Sequence, residues 1–471
     1  MLYYLLYIIC SSILFPQSIN GLSSKVEILD FRSKEHIRYD RIICGEIIEE
    51  SNIIIELEED LECEESGIRF FYVSNVEFHG NGHLITGQDE NNQGFGISVS
   101  NSNNIIINNI HLSQFEVGIL ISSSELLQLL DISCSNIEHG AVDMSFSNEV
   151  LVEEIDIFFG SHSGISIHES NNITIQNALV SGCGTSGLTI LNSSNVGIYN
   201  CSINANSEIG IGIRSNSNHV EVAYTDISDN GIYQAFVWDA SSNISLHHNV
   251  FQNGGEEGSA VYCLEVVGGE IYSNQFLDNV HSDLWINSAS DGLYIYDNFF
   301  SNPNLLDHGD NNWNIDIQDR TNIIGGPLTT GNYYRWWDDW MDVNADGISE
   351  EVYYIPGLNN SQDHFPLTCH FNASSICDSN NYIIFDSCDP PEVIFYQECN
   401  YTCYSGGCLD VFGDINLDNQ LNIIDIIVLV SIIIEPDILP SEAQLILADP
   451  NNDNNINILD IMIIINAILF P

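Results

Sequence analysis

Near the end of the sequence, oxygen-bearing side chains recur at fixed spacing in two copies 35 residues apart. Asp414, Asn416, Asp418, Asn422 and Asp425 hold positions 1, 3, 5, 9 and 12 of one twelve-residue stretch; Asp449, Asn451, Asp453, Asn457 and Asp460 repeat the set. Position 7, Gln420 in one copy and Asn455 in the other, offers a backbone carbonyl. A hard dication needs a shell of oxygens, and this spacing wraps a short loop around one Ca2+. Chance rarely duplicates five ligands in register, so two Ca2+ sites are expected. Position 6 lacks the usual glycine, but Asn419 and Asn454 are the residues that next best tolerate a left-handed backbone. Asp342, Asn344 and Asp346 with Gly347 begin a third loop of this kind without an acid at position 12. Glu350 or Asp363 is the candidate to complete it; an Asx-rich turn explains the same residues without an ion.

Elsewhere the chemical inventory is thinner. Arg214, Asp239 and His168 are the weak catalytic candidates, and Tyr262 and Trp285 offer flat apolar faces on which a sugar ring stacks. A lyase needs a base beside an acidic sugar, and a hydrolase needs two carboxylates at a set separation. Neither constellation is visible. An Arg214–Asp239 surface ion pair is the blander expectation, and His247-His248 reads as a turn pair.

These residues are placed by a repeat. A small residue opens a short alternating strand at Gly118, Ala141, Gly164, Gly187, Gly210, Ala235 and Ala260, and Asp283 opens the next, at steps of 23, 23, 23, 23, 25, 25 and 23 residues. A second strand lies between, usually announced by asparagine, as at Asn104, Asn172, Asn195 and Asn243. A near-constant period with two or three strands per unit means a solenoid. Alternation puts Ile165, Ile167, Leu188, Ile190, Ile211 and Ile213 inward. The outward column then reads Leu120, Asp143, Ser166, Thr189, Gly212, Val237, Tyr262 and Trp285. Two residues on, it reads Ser122, Ser145, His168, Leu191, Arg214, Asp239, Leu264 and Asn287. Recurrent asparagine is expected to form amide ladders at the turns.

A formal charge of −57, from 66 acids against nine Lys and Arg, makes nucleic acid and anionic membranes poor partners and Ca2+ a better one. Residues 1–21 read as a secretory signal peptide, too short before Pro16 to span a membrane. Cys369, Cys377, Cys388, Cys399, Cys403 and Cys408 form an even cluster that points to disulfides, whose pairing spacing does not choose. Cys134, Cys183, Cys201 and Cys263 read as buried fillers within the repeat.

The coil pattern resembles the right-handed parallel β-helix of the NosD-like family, related in architecture to pectin lyases. The resemblance covers roughly residues 60–367. It is most specific where Gly331-Asn332-Tyr333-Tyr334, Asp342 to Ile348, Tyr354-Ile355-Pro356-Gly357 and Asp363 to Leu367 follow that family's closing pattern in order. Arg335 to Trp340 is bulkier and more acidic than the pattern. The paired loops of residues 411–471 resemble a dockerin, the module that plugs proteins into cohesin-bearing scaffolds. Ile423-Ile424 and Ile458-Leu459 replace the hydroxyl pair common at positions 10 and 11 of dockerins, so the resemblance carries Ca2+ over more safely than the partner.

The expected organisation is all-β: signal peptide 1–21, N-terminal cap 22–73, parallel β-helix 74–330, its closing segment 331–368, a Cys-rich linker 369–410 and a small α-helical dockerin-like domain 411–471. The expected function is a secreted or cell-surface protein with a glycan-facing or adhesive surface. Its tail would engage a cohesin-type scaffold or its own β-helix. The alternative is a polysaccharide lyase or glycoside hydrolase carried by the same tail, resting on fold analogy alone.

Overall fold

The computed structural model describes residues 42–87, 94–337, 341–344, 346–371, 374–378, 381–385, 393–399, 401–404, 407–409, 411–434, 439–451, 453 and 455–469. The signal-peptide segment, residues 22–41 of the cap, Asp338 to Trp340, Cys388 and Asn454 lie outside them.

Each alternating strand pairs in parallel with its counterpart one coil on, which builds a parallel β-helix. One flank is a sheet of 12 strands running from Ile47–Ile48 through Ser163–His168 to Leu305–Asp307. A second flank runs from Ile53–Glu56 to Asp291–Tyr296, with short third strands such as Leu179–Ser181 turning the corner. Ile165, Ile167, Leu188, Ile190, Ile211 and Ile213 are all buried, stacked like over like, within one apolar interior reaching from Ile42 to Ile355. Asn104, Asn172, Asn195 and Asn243 take φ of 57, 55, 53 and 51°, which explains why asparagine announces the second strand.

The register corrects two outward positions. Ile211 pairs with Ala235 and Ala235 with Val261, so Gln234, not Ala235, is the counterpart of Gly210 and Ala260. Val237 is therefore buried, and Phe236 takes its place between Gly212 and Tyr262. By the same one-residue slip Trp238, not Asp239, shares the column of Arg214, because side chains alternate faces at every residue. Gln234 misled the pattern because it is polar yet fully buried, its amide engaged with Asn230.

Side-chain ladders fix the turns. The N–H groups of Ser102, Ser124, Ser147, Ser170 and Ser193 each donate to the hydroxyl of the serine one coil on. At another corner, Thr225, Asn249, Asn274 and Asn298 each donate a backbone N–H to the Oδ1 of the asparagine above. That ladder ends on Asp363, which accepts from the Asn332 N–H at 2.8 Å, from the Tyr334 hydroxyl and from the Phe365 N–H. Asp363 is thereby engaged at the closing end and does not complete the Asp342 loop.

Burial pushes the Asp363 carboxyl up to about 7 and that of Asp283 up to about 6, in each case against hydrogen bonds that favour the anion. A carboxyl raised in the folded state holds its proton longer than in the unfolded chain, where it titrates near 3.9. Stability from these groups is therefore greatest near pH 4 and declines as pH rises through 7, by roughly 4 kcal/mol at most for Asp363. Thermal melts from pH 5 to 8 should slope downward, less steeply for Asp363→Asn; identical slopes for the two proteins would refute this.

A disulfide between Cys44 and Cys63 staples the first coils, a pair that the sequence did not suggest because neither belongs to the cysteine cluster. In the Cys-rich segment Cys399 bonds Cys408, and Cys369 and Cys403 are also disulfide-bonded. Cys134, Cys183, Cys201 and Cys263 are buried free thiols. Burial pushes Cys134 and Cys263 up to about 12, which leaves them inert as nucleophiles. Among the described residues no helix is long and apolar enough to cross a membrane.

Candidate functional sites

The C-terminal module has its own small core, built from Leu409, Ile415, Leu429, Ala443, Leu447, Ala448 and Ile464. Three helices surround it: α1 (Ile423–Ile434), α2 (Glu442–Ala448) and α3 (Ile458–Leu469). Ser441 and Gln444 close a reciprocal capping box at the start of α2. The apolar runs after the two loops thus become helices, each entered from a loop.

In the first loop the Asp414 carboxylate accepts from the N–H groups of Asp418 and Asn419, at 3.0 and 2.7 Å. Asn416 and Asp418 accept from N–H groups two residues on. Asp425, at the start of α1, turns back to accept from the Asn416 and Asn422 N–H groups, and Asn419 has the left-handed φ of 61° that position 6 demands. The second loop repeats the design: Asp449 and Asn451 accept from the Asp453 N–H, Asp453 from that of Asn455, and Asp460 from that of Asn457. Both position-12 carboxylates are fully buried, and Asp460 Oδ1 has no hydrogen-bond donor. A buried carboxylate oxygen without a donor is costly unless a cation faces it, so this donor set fits Ca2+. Among the described residues no three His, Cys, Asp or Glu side chains converge as a metal cluster, so amide and carbonyl oxygens would supply part of each shell.

The Asp342 loop folds the same way. Asp342 accepts from the Asp346 and Gly347 N–H groups, Asn344 from Asp346, and Asp346 from Ile348. Glu350 accepts from the Val343 N–H.

On the β-helix, the weak catalytic candidates do not converge. His168 and Arg214 share a column with Leu191 between them. Asp239 accepts from the Ser215 hydroxyl and makes no ion pair with Arg214; the one-residue slip puts Trp238 there instead, with the guanidinium 5.5 Å from its ring centroid. Tyr262 and Trp285 are brought together, centroids 5.6 Å apart, and extend into a longer aromatic row. Phe236 stacks on Tyr262 at 5.1 Å and on Trp238 at 4.1 Å, Tyr233 stacks on Tyr262, and His281 stacks on Trp285. These side chains are half-buried.

A second cluster, missed in the sequence, lies on the other flank. The Tyr199 hydroxyl donates to Glu221 at 2.7 Å, Glu221 meets His247 Nε2 at 2.9 Å, and His247 Nδ1 meets His248 Nδ1 at 2.9 Å. Ala223, between Tyr199 and His247 in the column, leaves the notch through which Glu221 reaches both. Tyr272 stacks on His247, and Tyr296 on Tyr272. Partial burial, the neighbouring His247 and the Arg320 charge hold His248 down near 4, so its imidazole is neutral at pH 7. Burial and nearby carboxylates push Tyr272 up to about 12. The signal was spread over residues 199, 221, 247 and 248, and only the coil register assembles it.

The fold and the loops define the class. Residues 140–300 match the family described as right handed beta helix region, and residues 412–469 match the dockerin type I domain. The chain is a right-handed β-helix that carries a dockerin type I domain. Dockerin type I domains bind calcium, and dockerins bind cohesins. Among solved structures it is similar to the A-module of the Azotobacter vinelandii mannuronan C-5 epimerase AlgE6. Identity there is 14%, over 55% of this chain and 77% of that one, with a TM-score of 0.44. The AlgE4 A-module of the same organism is 12% identical over 55% and 76%, with a TM-score of 0.43. Tailspike protein 2 of bacteriophage CBA120 is 9% identical over 71% and 62%, with a TM-score of 0.39. No curated protein matches the chain by sequence.

Proposed function

We propose that this is an extracellular, calcium-dependent β-helix protein, held by its dockerin to a cohesin-bearing scaffold and presenting the flank of the β-helix to glycans. The observation that carries the reading is the pair of ligand loops, each closing on a buried acid, in a module joined to a solenoid with a half-buried aromatic row on its outer face. Disulfides in the first coils and in the Cys-rich segment fit an oxidising compartment. Ca2+ would be held by Asp414, Asn416, Asp418, Gln420, Asn422 and Asp425 and by their counterparts from Asp449 to Asp460, with Asp342, Asn344 and Asp346 as a third, partial set. Ile423, Ile424, Ile458 and Leu459 are exposed, so the docking face is apolar where dockerins commonly present hydroxyls. The test is binding of the full chain to immobilised cohesins in Ca2+ and in EGTA, with sedimentation to detect self-association. A calcium-loaded tail that binds neither a cohesin nor its own solenoid would end this reading.

A second reading, a glycan-cleaving enzyme on the same tail, gains support from the Tyr199–Glu221–His247–His248 chain. Neutral His248 is a base beside Tyr272, which holds its proton at pH 7. Glycan panels assayed for unsaturated sugars and new reducing ends should show product that disappears in His248→Gln. Absence of product from every glycan would leave the binding role alone.

A further inference from the structure

Arg214 stands at one end of the aromatic row in an unusual electrostatic position. The protein carries 66 acids, yet this guanidinium pairs with none of the described ones. It lies against the Trp238 indole, and its Nε is buried without a hydrogen-bond partner. The indole in turn reaches over Gly212, where an added Cβ would come within 3.3 Å of the ring. From Arg214 through Trp238, Phe236 and Tyr262 to Trp285 the row crosses four coils. At the usual strand spacing that is about 14 Å, long enough for more than one sugar ring to lie along the β-helix axis.

We infer that this row is a saccharide-binding strip for a mostly neutral glycan bearing isolated carboxylates, one of which Arg214 receives. The inference rests on the glycan-facing reading above and names its substrate class. Aromatic faces stack against the apolar faces of sugar rings. With Nε covered, the half-buried guanidinium offers its terminal N–H groups, which no described acid engages, and a carboxylate is the strongest acceptor for them. The density of charge on the ligand follows from the −57 of the protein. At physiological salt screening acts over about 8 Å, so a carboxylate on Arg214 feels the guanidinium while carboxylates on every neighbouring ring would face an acidic surface. A polyanion is repelled, and a sparsely charged chain is not.

The test uses the full chain with Ca2+ at about 0.15 M salt, titrated with glucuronoxylan, with the same polymer after carboxyl reduction, and with polygalacturonate. Glucuronoxylan should bind, and its affinity should fall at least about tenfold on carboxyl reduction or in Arg214→Gln, the size of one lost charge-assisted hydrogen bond. The melting temperature of Arg214→Gln should match wild type. Trp285→Ala should weaken the native and the reduced polymer alike. Binding that needs Trp285 but ignores Arg214 and the carboxyl overturns the inference and leaves the glycan-facing reading standing. Tighter binding of polygalacturonate than of glucuronoxylan overturns the argument from charge density, and no binding to any of the three overturns both readings.

Discussion

Replacing Asp425 and Asp460 together by alanine should abolish calcium binding by the tail, with affinity falling more than about 100-fold in calorimetric titration. Each of these acids stands at position 12, from which a calcium loop takes two carboxylate oxygens, and each is fully buried where a loop hands over to a helix. The loss should extend to folding. Asp414, Asp418 and Asp425 are each tied into the same short loop by backbone N–H donors, and without a cation their like charges are left uncompensated. The module core is a handful of side chains, too few to hold the loops against that repulsion unaided. EGTA should therefore erase most of the helical circular dichroism of α1 and α3, leave the β signal of the solenoid, and release the chain from cohesin. Helices that persist unchanged in EGTA would mean that the ion is a passenger and not the keystone.

The second large effect is expected in the solenoid. Ile190 lies between Ile167 and Ile213 in the inward stack and is completely buried. Ile190→Asp would set a carboxylate in an apolar interior with no partner, at a cost of several kcal/mol. Because each coil completes the hydrogen bonding of the next, the damage should spread, and limited proteolysis should open the chain near residues 165–215. Thr189→Asp, one residue away on the outward face, should melt within a degree or two of wild type. A reversal of the two would mean that inside and outside are exchanged.

Much of this was legible in the sequence because the physics is periodic. Inward isoleucines two residues apart, and calcium ligands at fixed intervals, are patterns that survive without coordinates, so the solenoid and the paired loops could be read directly. The failures occur where position depends on register between coils. Gln234 replaced the small residue expected before a strand, the count slipped by one, and Asp239 was credited with the place of Trp238. The Glu221 to His248 chain was invisible for a related reason: its members are ordinary turn and strand residues until stacking brings them together. The Cys44–Cys63 staple likewise joins residues that belong to no cysteine motif.

The asparagine ladder bears on how the molecule ends. Every rung points the same way, a donor on one coil and an acceptor on the next, so the column is polar and each added coil presents a fresh acceptor to the coil beneath and a fresh donor to whatever follows. A stack of this kind has no intrinsic length; a second molecule seated on its last rung would continue it into a fibre. Asp363 breaks that symmetry, because its carboxyl accepts from the Asn332 N–H and Nδ2 but lacks the Nδ2–H2 that each asparagine below donates to the next. The residue that closes the ladder thus also removes a side-chain donor onto which a second copy would stack.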